Sequence, residues 1–285
     1  MRNIFLCLAL GLAWVPAVFA FTLSNFETPE SVAIDPEDGS YYVSNINGEP
    51  LAKDGNGYIS KINAEGSVVI QKFIGGKNAS LNAPKGILIS GKNIFVTDIH
   101  AVKGFEKATG KVVVLVDLSR FGVRFLNDIA AGPSGVMFVS DMMTNQIFRI
   151  DPSNHYEVTL FYGGKELGSP NGLAVNPKNG HLLVATWESG EVLEIDRWKK
   201  IHVLKRGLKN LDGIDVDSQS NLYVSAFERG EIYRISNLGR GALATALSGL
   251  VTPADISYDR KKDELLIPSF KGNTVSSVSQ KTRVS

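Results

Sequence analysis

The sequence predicts an all-β protein, a six-bladed β-propeller with four antiparallel strands in each blade. The main observation is a repeated pattern of a short apolar strand, a turn rich in Pro, Asn and Gly, and a second apolar strand. Six copies are present, at Pro29–Asn45, Pro84–Asp98, Leu126–Asp141, Ser169–Thr186, Leu211–Ala226 and Pro253–Ser269. Repeats of about 40 residues, with four strands in each repeat, are typical of propeller blades.

Each repeat, which runs from the start of one copy to the start of the next, accounts for four strands. The first strand ends in a turn such as Asp35–Gly39 or Asn176–Gly180, and turns of this composition join antiparallel strands. The third strand shows the alternation of a half-buried strand, most clearly in Ile147–Asp151 and Val192–Asp196. The fourth strand is represented by Val112–Leu118. These segments follow one another in the order that a propeller blade requires.

The N-terminal strand is predicted to close the ring. Residues Phe21–Glu30 align with Ala246–Ala254, because Leu-Ser, an apolar residue and Thr-Pro fall in the same register in both. Each segment therefore reads as the last strand of one repeat that runs into the first strand of the next. Phe21–Phe26 then supplies the fourth strand of the last blade, and closure removes exposed sheet edges.

Residues 1–20 have the pattern of a secretory signal peptide. Arg2 precedes the apolar run Ile4–Val15, and the segment ends in the small-residue site Val18–Ala20. The apolar run is too short for a comfortable membrane span. We therefore expect a secreted or periplasmic protein without a stable membrane anchor, in which residues 21–285 form a single domain.

Composition narrows the classes of partner and chemistry. Of the 285 residues, 44% are apolar and 21% are charged, which suits a soluble domain with a sizeable core. The single cysteine, Cys7, lies in the signal peptide, so the mature chain has no disulfide or cysteine nucleophile. The formal net charge of +1 and the lack of a basic run argue against nucleic acid as a partner. The oligomeric state is left open.

One residue in each copy lies at the start of the first strand, which lines the central channel of a propeller. We call these six positions the column: Glu30, Lys85, Asn127, Asn171, Asp212 and Ala254. They are separated by 55, 42, 44, 41 and 42 positions, and the insertion Asn45–Gly57 explains the long first interval. Because equivalent positions of a closed ring meet near its axis, the column side chains are expected to converge.

The column contains two carboxylates and two amides, which suit a hard divalent cation such as calcium with water as the remaining ligands. A dedicated zinc or copper site would favour His or Cys instead. The alternative is that Asn171 and Asp212, each followed by glycine, are ordinary turn residues.

The column and its neighbours resemble the SMP-30/gluconolactonase group of six-bladed propellers, with diisopropylfluorophosphatase and the paraoxonases as more distant relatives. The resemblance covers residues 21–285 and is most specific in three motifs, Pro170–Leu173, Leu211–Gly213 and Leu126–Asp128. Members of the group hydrolyse lactones, esters or organophosphates with a catalytic divalent cation, usually calcium.

Carried over, the resemblance implies that the metal ligands are Glu30, Asn127, Asn171 and Asp212. It further implies that Asp212 is catalytic, as a general base or a nucleophile. The sequence departs from the group at Glu30, which is flanked by Pro and Ser where the group has glycines. It departs again at Arg124, which lies one residue further from the following asparagine than the substrate-binding arginine of the group.

The connections between second and third strands are expected on the same face as the column. Each carries an apolar or aromatic residue: Ile46, Ile99-His100, Met142-Met143, Trp187-Glu188, Phe227-Glu228 and Phe270-Lys271. Such a ring predicts a pocket wall for an organic ligand, with packing between blades as the alternative. The predicted substrate-binding residues are Lys85, His100, Arg124, Trp187 and Phe227. For Lys85 three roles are open: it would bind an anionic group of the substrate, weaken cation binding by its own positive charge, or extend into solvent. His100 would act as a general acid or base, or lie at the surface.

The function predicted from these observations is that of a secreted, calcium-dependent hydrolase that acts on a small-molecule lactone or ester. The alternative is a non-catalytic secreted propeller that binds a sugar, peptide or protein partner and holds at most a structural calcium. The setting of Glu30 and the lysine at position 85 favour that alternative. A third and weaker reading is a strictosidine-synthase-like or cofactor-dependent propeller, for which the sequence offers no quinone or nucleotide motif.

Overall fold

The computed structural model describes residues 19–76 and 79–280, so residues 1–18 of the predicted signal peptide lie outside the described part. Within that part the chain forms six four-stranded antiparallel sheets, which confirms the predicted propeller. Over the same residues, no helix combines the length and the apolar character that a membrane span needs.

The first three blades follow the chain order from the inner to the outer strand. Blade 1 contains β2 (Pro29–Ile34), β3 (Tyr41–Asn45), β4 (Tyr58–Ile62) and β5 (Val68–Gly75). Blade 2 contains β6 (Pro84–Ser90), β7 (Asn93–Asp98), β8 (Ala101–Glu106) and β9 (Val112–Asp117). Blade 3 contains β10 (Leu126–Ala131), β11 (Met137–Asp141), β12 (Gln146–Asp151) and β13 (Glu157–Gly163).

The remaining blades repeat this arrangement. Blade 4 contains β14 (Pro170–Val175), β15 (Leu182–Thr186), β16 (Val192–Ile195) and β17 (Ile201–Lys205). Blade 5 contains β18 (Leu211–Val216), β19 (Leu222–Ala226), β20 (Glu231–Ile235) and β21 (Leu243–Leu247). Blade 6 contains β22 (Ser257–Asp259), β23 (Glu264–Ser269), β24 (Thr274–Ser279) and, as its outer strand, β1 (Phe19–Leu23). Short 3-10 turns occupy Ser119–Phe121, Pro133–Gly135, Pro152–Asn154 and Lys165–Leu167.

The ring is closed by the N-terminal strand, as predicted, although β1 spans Phe19–Leu23 where the sequence predicted Phe21–Phe26. β1 pairs with β24 in antiparallel register, with Phe21 opposite Ser277 and Leu23 opposite Val275. These pairs lie beyond Ala20, so they remain after cleavage at the predicted site. The last blade therefore contains both ends of the described chain, which leaves no unpaired inner edge at the closure.

The core lies between the blades. One apolar cluster of the described residues occupies each of the six interfaces between neighbouring sheets. Between blades 2 and 3, for example, Phe95 and Val102 pack with Val139 and Phe148, all four of them buried. Each sheet thus buries both of its faces against its neighbours, which accounts for strands that read as almost continuous apolar runs.

Glycine allows the inner strands to approach one another closely. A Cβ atom on Gly172 would lie 2.2 Å from the backbone oxygen of Asp212 in the next blade, and one on Gly213 would lie 2.3 Å from the backbone nitrogen of Ile256. Both distances are shorter than any real contact, so only glycine fits. The glycines that follow Asn171 and Asp212 therefore serve the spacing of the blades rather than a tight turn.

Candidate functional site

Five of the six column residues line one cavity. The cavity has a volume of about 720 Å³ and lies at the end of the channel where the inner strands begin. Its lining includes Glu30, Lys85, Asn127, Asn171 and Asp212. The structure thus brings together all four predicted metal ligands, which come from blades 1, 3, 4 and 5.

The same local irregularity presents each of these side chains. Glu30, Asn127, Asn171 and Asp212 are each the second residue of an inner strand. At this point two residues of the inner strand oppose one of its neighbour, as between Pro170 and Leu173 in blade 4. A β-bulge of this kind redirects a side chain and is common beside active sites.

Hydroxyl groups on the second strands fix the neighbouring inner strands to each other. The Ser140 Oγ accepts a hydrogen bond from the Asp128 backbone nitrogen at 3.0 Å and donates one to the Asn171 backbone oxygen at 2.7 Å. The Ser225 Oγ acts in the same way between the Gly213 nitrogen and the Ala254 oxygen. The backbone that carries the column is therefore held rigidly across blade boundaries.

Each predicted ligand has a buried oxygen without a hydrogen-bond partner. These atoms are the Oε2 of Glu30, the Oδ1 of Asn127, the Oδ1 of Asn171 and the Oδ1 of Asp212. The four side chains are between 2% and 5% exposed. Leaving one buried polar atom unpaired costs about 1–3 kcal/mol, so four such oxygens in one cavity indicate a missing partner.

The two amides offer their oxygens because their nitrogens are already engaged. The Asn171 Nδ2 donates to the Leu211 backbone oxygen at 3.3 Å, and the Asn127 Nδ2 lies 3.9 Å from the Met142 Sδ. Oxygen atoms that point into the cavity fit a cation and not an anion. Among the described residues, no three His, Cys, Asp or Glu side chains are placed so that they could hold a metal ion by themselves, so the amides are needed to complete a ligand set.

Burial and like charge disfavour ionised carboxylates in this cavity when it holds no cation. Burial raises the pKa of Asp212 to about 8, and the Asp128 carboxylate adds to the increase. Burial likewise raises the pKa of Glu30 well above its ordinary value, with a further contribution from Asp212 and an opposing one from Lys85. A divalent cation would favour the ionised forms of both residues.

Two further buried carboxylates lie directly after column positions, and sequence reasoning did not assign them a role. Asp128 accepts hydrogen bonds from the Ile129 and Leu173 nitrogens, both at 2.6 Å, and Asp255 accepts one from the Ser31 hydroxyl at 2.6 Å. They connect blade 3 to blade 4 and blade 6 to blade 1, and they increase the negative charge near the channel. Their position beside the column was the signal that could have identified them.

Lys85 is buried, so the reading in which it extends into solvent is wrong. Its side chain is 1% exposed, and its Nζ donates to the backbone oxygens of Pro50 at 3.0 Å and Ala83 at 2.9 Å. The Nζ also lies 4.4 Å from the centre of the Phe125 ring. Burial lowers the pKa of Lys85 to about 8, against an opposing contribution from Glu30. The lysine therefore joins the inner strand of blade 2 to the insertion of blade 1.

The insertion of blade 1 forms one wall of the cavity, which the repeat pattern did not predict. Gly48, Glu49, Pro50 and Leu51 all line it, and Leu51 remains 48% exposed. Further hydrogen bonds hold the segment, including one from the Gly55 backbone nitrogen to the Asn82 side chain at 3.2 Å. The sequence signal for this wall was the long first interval of the column.

A second part of the cavity lining is aromatic. Trp187, Phe227 and Phe270, which we call the aromatic wall, come from the equivalent connections of blades 4, 5 and 6 and all line the cavity. Their ring centres are 5.4 Å apart from Trp187 to Phe227 and 5.4 Å apart from Phe227 to Phe270. Packing contributes as well, because Phe270 also contacts a small cluster that includes Ile46 and Ile99.

Two of the predicted substrate-binding residues lie outside the cavity lining. Arg124 is exposed, and its backbone nitrogen donates to the Asp141 carboxylate at 2.8 Å, while the next residue, Phe125, lines the cavity instead. The extra residue between Arg124 and Asn127 accounts for this change. His100 lies in the connection of blade 2, and its Nδ1 is buried without a hydrogen-bond partner.

The fold and its cavity define a class, the six-bladed propellers with a pocket at one end of the central channel. The family model described as "SMP-30/Gluconolactonase/LRE-like region" matches residues 28–252. The chain belongs to this family. A comparison with curated proteins found no match.

Among solved structures, the chain is similar to virginiamycin B lyase from Staphylococcus aureus. The selenomethionine-substituted enzyme has a TM-score of 0.66 and 15% identity, over 91% of this chain and 98% of that one. A catalytically inactive variant with quinupristin has a TM-score of 0.62 and 14% identity, over the same shares of the two chains. A streptogramin B lyase structure has a TM-score of 0.62 and 15% identity, over 91% of this chain and 96% of that one. At this identity the likeness shows the fold alone.

Proposed function

We propose that this protein is a secreted, calcium-dependent hydrolase that acts on a lactone or an ester. The observation that carries the proposal is the group of four unpartnered buried oxygens from Glu30, Asn127, Asn171 and Asp212 at the polar end of one cavity. Membership of the SMP-30/gluconolactonase family supports it. The signal-peptide pattern of residues 1–20 supports secretion.

The residues of the cavity have distinct parts in this proposal. Glu30, Asn127, Asn171 and Asp212 hold the cation, which when bound supplies a Lewis acid for the carbonyl group of the substrate. The carboxylate of Asp212 would remove a proton from the water that attacks the carbonyl carbon, and the acyl C–O bond would then break as the leaving oxygen takes up a proton. Alternatively it would attack the carbon itself and expel the same oxygen, and water would hydrolyse the resulting acyl-enzyme. Trp187 and the other rings of the aromatic wall hold the organic part of the substrate and exclude water.

Replacement of the catalytic carboxylate tests this function. In a panel of lactones and aryl esters, we expect hydrolysis that requires calcium, and we expect Asp212→Asn to lower kcat/KM by at least about 100-fold. Glu65→Gln is the control, because Glu65 is exposed in the turn between β4 and β5 and lies outside the cavity lining. Calcium-independent hydrolysis, or full activity in Asp212→Asn, would contradict the proposal.

A second candidate is a non-catalytic propeller that binds a small molecule or partner and uses calcium for stability. It is favoured by the buried Lys85, whose charge acts on Glu30 and so opposes a cation in the same cavity. The same panel separates the two candidates. Calcium binding without hydrolysis of any substrate would favour the binding protein.

A further inference from the structure

We propose that the substrate carries a hydrophobic aryl or alkyl group next to the hydrolysed bond, and that polyhydroxylated sugar lactones are poor substrates. This inference rests on the proposed function and specifies the class of compound that the cavity takes. It follows from how polar and apolar side chains are divided between the two ends of the cavity.

The apolar surface of the cavity is nearly continuous. The aromatic wall spans three consecutive blades, and its rings are 5.4 Å apart at both contacts. Met142 extends it into blade 3, and Ile46 and Leu51 continue it in blade 1. Aromatic rings in tilted or edge contact form a firm surface that binds an apolar group by area and dispersion.

The buried polar side chains of the cavity lining are concentrated at the other end. Glu30, Asn127, Asn171 and Asp212 are assigned to the cation, and the Lys85 ammonium already donates to two backbone oxygens. Inside the cavity, the hydroxyl groups of a sugar lactone would therefore face mostly rings and aliphatic chains, whereas the exposed rim residues Glu49, Lys271 and Asn273 already have water as a partner. Buried hydroxyls without partners weaken binding, whereas an alkyl or aryl group gains from the same surface.

The cavity is large enough for a lactone or ester that carries such a substituent. Its volume of about 720 Å³ lies within the range of about 300–1,000 Å³ that is usual for drug-sized ligands. The lactone or ester group would lie at the polar end, beside Asp212, and the substituent would extend along the aromatic wall toward Leu51. Because Leu51 is 48% exposed, this side of the cavity can admit a chain that projects toward solvent.

Three δ-lactones with the same ring test the inference: unsubstituted δ-valerolactone, alkyl-substituted δ-undecalactone and hydroxylated glucono-1,5-lactone. We expect kcat/KM for δ-undecalactone to exceed that for glucono-1,5-lactone by at least about tenfold in the presence of calcium. Trp187→Ala should lower the value for δ-undecalactone by about tenfold and that for δ-valerolactone by less than about twofold. Trp198→Ala is the matched control, because Trp198 is 71% exposed in the turn between β16 and β17.

Leu51→Ser provides a second variant that does not disturb the core. Like Trp187→Ala, it should lower kcat/KM for δ-undecalactone more than kcat/KM for δ-valerolactone. A preference for glucono-1,5-lactone would overturn the inference and leave the hydrolase intact. If none of the three is hydrolysed, the proposed function fails, and binding of the same lactones is followed by Trp187 fluorescence in a Trp198→Phe background. Tighter binding of δ-undecalactone would then support the hydrophobic site, and equal or weaker binding would overturn it.

Discussion

At the scale of single residues, the site combines groups that are unfavourable by themselves. Glu30 and Asp212 are buried carboxylates, the charge of Asp212 makes ionisation of Glu30 less favourable, and the amide oxygens of Asn127 and Asn171 have no hydrogen-bond partner. Such an arrangement lowers the stability of the fold unless a ligand compensates for it. A cation that binds all four oxygens would make each of these groups stabilise the folded protein instead of destabilising it.

The pKa of Asp212 predicts an unusual dependence of stability on pH. This group has a pKa of about 8 in the folded protein and an ordinary value of 3.8. Between these values the folded, metal-free protein holds a proton that the unfolded chain has released, so stability falls as pH rises. In excess chelator, we expect Tm to decrease from pH 5 to pH 8, and calcium to abolish the decrease.

Asp212→Asn should reduce the slope of the same profile, because the substituted side chain does not titrate. Part of the decrease should remain, since burial also raises the pKa of Glu30, Asp128 and Asp255. Carboxylates whose pKa is lowered in the fold, such as Asp151 and Asp196, change their contribution to stability only at more acidic pH, so they do not mask this effect. A Tm that rises between pH 5 and pH 8 in the metal-free wild-type protein would show that Asp212 is ionised in the fold without a cation.

At the scale of elements, the repeat positions the inner strands and a departure from the repeat shapes the cavity. Every inner strand of blades 1 to 5 begins with the same bulge, which presents its second residue. The insertion of blade 1 has no counterpart in the other blades and covers one side of the cavity. Lys85, on the neighbouring inner strand, fastens it through the Pro50 oxygen.

Removal of the ammonium group should release this insertion. In Lys85→Met, which keeps most of the apolar stem, we expect amide hydrogen exchange within Asn45–Gly57 to rise by about tenfold, because a charge-assisted hydrogen bond to the loop is lost. Lys92→Met is the control, since Lys92 is exposed in the turn between β6 and β7. Unchanged exchange in the insertion would mean that other contacts hold it.

At the scale of the whole molecule, the site depends on closure of the ring. Glu30 comes from the first blade and Asp212 from the fifth, and blade 6 lies between them around the closure. The Asp255 nitrogen donates to the Glu30 backbone oxygen at 2.9 Å, and the Ser31 hydroxyl donates to the Asp255 carboxylate at 2.6 Å. Together with the pairing of β1 and β24, these bonds fix the position of Glu30 relative to the other three proposed ligands.

The sequence was sufficient for the features that repeat. Equivalent positions in a closed ring must converge, so Glu30, Asn127, Asn171 and Asp212 could be placed at one end of the channel before the structure was known. The conformation of Lys85 could not be predicted, because its partners are backbone oxygens of a loop that has no repeat.

The displacement of Arg124 by one residue has a similar origin. A single extra position between this residue and Asn127 changes which side chain faces the cavity, and Phe125 lines it instead. Periodicity therefore predicts the strands and the column well, and it predicts the connections between them poorly.

Calorimetric titration of calcium into the chelator-treated protein tests the central claim most directly. We expect a single site in the wild-type protein, and we expect Glu30→Gln, Asn127→Ala, Asn171→Ala and Asp212→Asn each to weaken binding by at least about tenfold. Glu65→Gln should bind as the wild type does. The absence of calcium binding, or affinity that is unchanged in all four variants, would contradict the assignment of these four oxygens to a shared cation.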